Sequence, residues 1–184
     1  ENQNVAGSFS ATDPDGDSLT FRLEGNTDSD KFTIDQNGVV RFIVTPDFEN
    51  PHNAGSIKNN NYFPTVIVSD GSLEDALAFT VTVTNVNEAP SITSDAAFTA
   101  AENQTAIGTV TATDPESDTL TFSVSGSDLA IDSSTGVLAF VTAPDFETQN
   151  TYTATVTVSD GSLTDTQDIT VTVTNDESDD PADD

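Results

Sequence analysis

The feature that most constrains this 184-residue chain is an internal repeat. ENQ at Glu1–Gln3 recurs at Glu102–Gln104, and ATDP at Ala11–Pro14 recurs at Ala112–Pro115. LTF, a TPDFE or APDFE turn, VSDGSL and TVTVTN follow in the same order in both copies. A period of roughly 100 residues with matched landmarks specifies two copies of one domain. Each copy is near the common domain size and can hold its own core. The join is TNVNEAP, Thr84–Pro90. The expected division is residues 1–85 for the first repeat, 86–90 for the linker, 91–176 for the second repeat and 177–184 for an acidic tail without apolar pattern. The sequence opens at Glu1, where the second copy is already past a first strand. The first repeat is therefore expected to be short of that strand, and the chain to be a piece of a longer one.

Within each copy the hydrophobic period is two. Tyr152, Ala154, Val156 and Val158 alternate with Thr153, Thr155, Thr157 and Ser159, and Ile169, Val171 and Val173 alternate with threonines. Leu120, Phe122 and Val124 repeat the pattern. β-branched alternation bounded by Asp, Gly and Pro turns predicts strands with one buried and one wet face. No stretch sustains a helical period. Six or seven short strands per copy predict an all-β chain of two immunoglobulin-like Greek-key sandwiches. Most of the 11 phenylalanines fall at recurring positions and are expected in the cores.

Charge narrows the function. The net charge is −28, from 4 Lys+Arg against 32 Asp+Glu, which excludes nucleic acid and anionic membrane as partners. All the basic residues (Arg22, Lys31, Arg41, Lys58) lie in the first copy. An acidic surface serves solubility in any case, but here many acids recur at the same landmarks near strand ends, which solubility does not require. With no cysteine, neither disulfides nor thiolate metal sites exist. No run of 18 apolar residues is present. The single histidine, His52, lacks a partner at ligand spacing, and no nucleophile elbow or phosphate-cradling glycine loop appears, so no enzyme is expected. His52 lies in Asn50–Asn61, a polar insertion that copy two lacks, read as a surface loop. Asp13, Asp15, Asp17 and Glu24 imitate a helix-flanked calcium loop, but Gly16 is misplaced and the flanks read as strands.

With these landmarks placed, the chain resembles tandem bacterial cadherin-type repeats of large secreted adhesins. The resemblance rests on AENQ (Ala101–Gln104), DPD (Asp13–Asp15) and DPE (Asp114–Glu116), and the DFE turns (Asp47–Glu49, Asp145–Glu147). VSDG (Val68–Gly71, Val158–Gly161) and NVNEAP (Asn85–Pro90) complete it. It implies calcium at the junction of the repeats and a rod of domains. Carried over residue by residue, the implied ligands are Glu1, Asp47 and Glu49 from copy one and Asn85, Asn87 and Glu88 from the linker, with the Val86 carbonyl as an extra. Copy two adds Asp114, Glu116 and Asp160. Asp13, Asp15 and Asp70 at one end, and Glu102, Asp145 and Glu147 at the other, would serve junctions with further domains. The family linker D-x-N-D-N is here Asn85-Val86-Asn87-Glu88-Ala89, so fewer anionic ligands imply fewer or weaker ions.

Calcium takes 6–8 hard oxygen ligands, as this set offers. Two carboxylates at 4 Å repel by about 1 kcal/mol in water and about 4 at an effective dielectric of 20, so the metal-free junction is expected to be loose. The resemblance thus implies a calcium-dependent, extracellular or cell-surface adhesin segment that acts as a stiffened spacer beside neighbouring repeats. The alternative is a module that itself recognises polysaccharide or a like domain, in homophilic adhesion. Against it, the chain has no Trp and only two Tyr, Tyr62 and Tyr152, to make a glycan platform.

Overall fold

The structure, a computed structural model, describes residues 1–25, 28–52 and 59–176. Half of the Asn50–Asn61 insertion (residues 53–58, Lys58 among them) and the tail 177–184 lie outside them. The chain divides into unit 1, Glu1–Val86, and a second unit beginning at Asn87. Among the described residues no helix is long and apolar enough to cross a membrane.

Unit 1 contains β1 (Val5–Ser8), β2 (Thr20–Leu23), β3 (Phe32–Ile34), β4 (Val39–Phe42), β5 (Asn61–Tyr62), β6 (Thr65–Ser69), β7 (Glu74–Ala78) and β8 (Val81–Thr82). One 3-10 turn, Ser29–Lys31, precedes β3. One sheet has the order β1-β4-β3 and the other β2-β6-β7, with β5 and β8 extending the β6–β7 hairpin past a break. The break has a local cause. Pro64 sits where unit 2 has Ala154, and a proline has no N–H for the ladder. Phe63 beside it is turned outward, 58% exposed, and is the one phenylalanine outside the two cores. Between the sheets Phe32, Val40, Phe42, Tyr62, Val66 and Val83 form the core. Tyr62 meets the rings of Phe32 and Phe42 edge-on, at 5.7 and 5.2 Å between centroids.

Unit 2 contains β9 (Ser91–Ile92), β10 (Ala97–Ala101), β11 (Ala106–Thr109), β12 (Ala112–Thr113), β13 (Thr121–Val124), β14 (Leu129–Ile131), β15 (Val137–Phe140), β16 (Thr151–Ser159) and β17 (Thr164–Thr174). Its sheets run β10-β17-β16-β13 and β11-β15-β14, with β9 paired to β12. Without a proline at position 154, β16 runs unbroken against β17 over nine paired positions. β10 joins β17 in parallel, and all other ladders are antiparallel. Leu138, Val156 and Val171 are fully buried between the sheets. Each such side chain contributes about 1.5–3 kcal/mol of burial.

The same glycine closes both sandwiches. Gly38 and Gly136 have φ of +75° and +70°, and a Cβ there would lie 2.2 and 2.3 Å from the carbonyl oxygens of Phe9 and Val110. Only glycine fits. These are sandwiches of the immunoglobulin type, as the period of two predicts, although short edge segments bring the strand count above six or seven.

Candidate metal-binding sites

The ENQ elements act as carboxylate holders. Asn2 and Asn103 take the left-handed conformation, φ 61° and 59°, which asparagine tolerates better than most residues. Their N–H groups donate to the Pro46 and Pro144 carbonyls. The preceding glutamate is thereby turned onto the DFE turn. In unit 1, Glu1 Oε2 accepts the Phe48 N–H and Oε1 the Val86 N–H, each at 2.7 Å. In unit 2, Glu102 is 2% exposed and accepts from Phe146 and Asp176 in the same way. Two backbone N–H bonds satisfy the oxygens of a carboxylate that burial takes out of water.

The DFE acids stand beside these glutamates. Glu1 and Glu49 offer oxygens within 4.8 Å of one another, and so do Glu102, Asp145 and Glu147. Asp47 accepts from the Asn50 N–H at 2.8 Å. Asp145 accepts from both the hydroxyl and the N–H of Thr148, and the hydroxyl first of all holds its acid below the usual carboxylate range. Asn85, the last expected ligand of unit 1, is exposed.

The remaining expected ligands lie in unit 2. Asp160 Oδ1 accepts the Ser162 and Leu163 N–H groups at 2.6 Å, in a turn where Gly161 has φ +100°. Its Oδ2 accepts the Asn87 side-chain N–H at 2.8 Å. These bonds, Leu163 first, then Ser162 and Asn87, hold the Asp160 acid below its ordinary value. Glu116 Oε2 accepts the Glu88 N–H at 3.3 Å, and Asp114 Oδ1 accepts the Asp118 N–H at 3.0 Å. The other oxygens of that pair, Asp114 Oδ2 and Glu116 Oε1, are buried with no hydrogen-bond partner among the described residues. Buried orphan carboxylate oxygens are costly unless a cation meets them. A hard divalent cation with oxygen ligands, calcium above all, fits this donor set.

Sequence reasoning names Asp114 and Glu116 but not why their turn holds. Ser117 adopts φ 63° where unit 1 has Gly16 at 82°. It also misses Asp165, whose Oδ2 accepts the Ile92 N–H at 2.9 Å. The signal is the shared spacing from VSDGSL to Asp75 and Asp165. The calcium-loop imitation at Asp13 resolves into a turn instead. Asp13 Oδ1 accepts the Asp15 and Asp17 N–H groups at 2.8 and 3.1 Å, with no flanking helix.

The fold defines the class: two tandem immunoglobulin-like sandwiches whose fold is like that of cadherin repeats. Residues 87–172 match the bacterial Ig domain family. Among solved structures, Drosophila N-cadherin EC1-4 is similar at a TM-score of 0.61 and 21% identity, covering 95% of this chain and 46% of that one. Human protocadherin-24 EC1-2 aligns at 0.58 and 16% identity, covering 93% and 88%. Mouse cadherin-23 EC22-24 aligns at 0.53 and 20% identity, covering 85% and 53%. The chain thus spans about half the length of the Drosophila and mouse structures. No curated protein sequence matches it.

Proposed function

We propose that the chain is a calcium-dependent segment of an extracellular or cell-surface adhesin, stiffened by ions at the linker. The ligands are Glu1, Asp47, Glu49, Asn85, Asn87, Glu88, Asp114, Glu116 and Asp160. The observation that carries this reading is the pair of buried, unpartnered oxygens on Asp114 and Glu116. Chain continuity supports a shared site. Val86 donates its N–H to Glu1, and the next residue, Asn87, donates its side chain to Asp160. One peptide bond therefore separates residues tied to the two ligand sets. Calcium supplies the charge that lets these carboxylates converge. Extracellular modules bind it at about 10⁻⁴–10⁻³ M, so the sites fill outside a cell and empty within it. The test is calorimetric titration with calcium, paired with small-angle scattering in chelator and in excess calcium. The reading expects saturable uptake and a narrower, longer particle, and it fails if neither occurs.

A second reading, recognition of polysaccharide or of a like domain, is favoured by one feature of unit 1. A cavity of about 300 Å³ is lined by Phe42, Ile43, Val44, His52 and Tyr62, with Ile43 and Val44 each 60% exposed. Glycan-array binding or calcium-dependent bead aggregation that Val44→Asp abolishes would support it.

A further inference from the structure

The ligands proposed for unit 2 come from three separate stretches of chain. Asp160 sits in the turn between β16 and β17, Asp114 and Glu116 follow β12, and Asn87 and Glu88 precede β9. β9 and β12 pair directly, Ile92 with Ala112 and Ser91 with Thr113, and the chain passes from Thr113 straight into Asp114. Two paired positions are too few to hold a strand in place unaided. The Asn87 bond to Asp160 and the Glu88 bond to Glu116 do not make up the difference, because each ends on a carboxylate that a bound cation would draw on.

Asp165 supplies the support. Along β17 it shares a face with Ile169, Val171 and Val173, so a carboxylate takes a position where the alternation points into the sandwich. It is half-buried, and it stands opposite Val158, on the second rung below the turn that carries Asp160. Its Oδ2 accepts the Ile92 N–H at 2.9 Å, and its Oδ1 accepts the Thr166 N–H at 2.8 Å. Past Ile92 the grip continues. The Thr93 N–H donates to the Thr111 carbonyl at 2.8 Å, and the Gln167 side chain to the Ser94 carbonyl at 3.3 Å. Ile92 packs against the unit 2 core, and Pro90 ahead of it is buried.

We propose that Asp165 is a positioning residue for the ion site. It fixes β9 between the β16–β17 hairpin and β12, and so keeps Asn87 and Glu88 beside Asp160, Asp114 and Glu116. The inference rests on the calcium reading above and adds a residue outside its ligand set. Asp165 acts through one hydrogen bond to the main chain and not through its charge. Residues that orient ligands without touching the metal govern its affinity, because the ligands then need no ordering at the moment of binding. A carboxamide can replace the carboxylate as acceptor for the Ile92 N–H, whereas a methyl group cannot.

The test compares the full chain with Asp165→Ala and Asp165→Asn, by amide hydrogen exchange in chelator and by calorimetric titration with calcium chloride. In chelator, Asp165→Ala is expected to speed exchange by about tenfold or more at Ile92 and also at Glu88, while Val156 and Val171 stay as protected as in the parent. It is expected to bind calcium about tenfold more weakly. Asp165→Asn is expected to match the parent within about threefold in both measurements. A parent that takes up no calcium overturns the calcium reading and this role with it. Uptake by the parent with equal affinity in Asp165→Ala overturns this inference alone, as does faster exchange at Ile92 with Glu88 unchanged. Equal losses in the two variants would make the charge, not the bond, what matters, and lost protection at Val156 and Val171 would make Asp165 part of the general fold. Either result overturns the proposal.

Discussion

The Asn87 side chain donates to Asp160 Oδ2 at 2.8 Å, so an amide occupies a place where a carboxylate would meet another carboxylate. In the proposed site, the bond leaves the Asn87 side-chain oxygen to serve as a neutral ligand beside the carboxylate of Asp160. Asn87→Asp exchanges attraction for repulsion when no metal is present and adds an anionic ligand when it is. The expected outcome has opposite signs: a lower melting temperature in chelator and calcium binding tighter by roughly tenfold. Thermal melts and calorimetric titrations of the same variant check both halves.

Glu116 and Asp114 carry the orphan oxygens, so neutralising them separates ligand from scaffold. Glu116→Gln and Asp114→Asn are expected to weaken calcium binding by at least about tenfold while leaving the chelated protein as stable as the parent or more so. Glu88→Ala is expected to weaken binding as well. Calorimetry gives the first quantity and urea midpoints in chelator the second. Loss of stability in chelator would make these residues structural.

The acids of Asp70, Asp132, Asp145 and Asp160 are all held below the ordinary aspartate value of 3.8. At Asp70, Asp132 and Asp160 the backbone N–H bonds of the tight turns come first among the causes, and at Asp145 the Thr148 hydroxyl does. For a depressed folded-state acid, the contribution to stability is complete above the unfolded value and disappears as pH falls through the folded one. Urea midpoints in chelator are therefore expected to decline below about pH 4. In Asp132→Asn that decline is expected to be shallower, because one of the depressed acids is gone. A steeper decline in the variant would contradict the assignment.

Gly136 and Gly161 both have positive φ but differ in their surroundings. A Cβ at Gly136 meets the Val110 carbonyl oxygen at 2.3 Å, whereas Gly161 has nothing within 4 Å. Gly161→Ala carries only the left-handed penalty, about 1–2 kcal/mol. Gly136→Ala adds a backbone clash and is expected to cost about 3 kcal/mol or more. Denaturant midpoints in chelator rank the two, and equal losses would contradict the close approach.

How far this was readable beforehand differs from element to element. The strand of Tyr152, Ala154, Val156 and Val158 is legible because one period of two and one continuous core face coincide. The broken strand at Pro64 is legible only in retrospect, since Tyr62 and Val66 lie in the same register on either side of it. The acidic turns could be found from their residue types. Their holders could not, because a left-handed Asn2 or Ser117 leaves no trace in hydrophobic pattern.

The most direct test of the central claim is calcium titration of the full chain at neutral pH, run in parallel on the Asp114→Asn, Glu116→Gln double variant. The account predicts saturable uptake of at least one ion by the parent, a rise in its melting temperature with calcium, and loss of both in the variant. Equal calcium uptake by the two proteins, or no uptake at millimolar calcium, would contradict it.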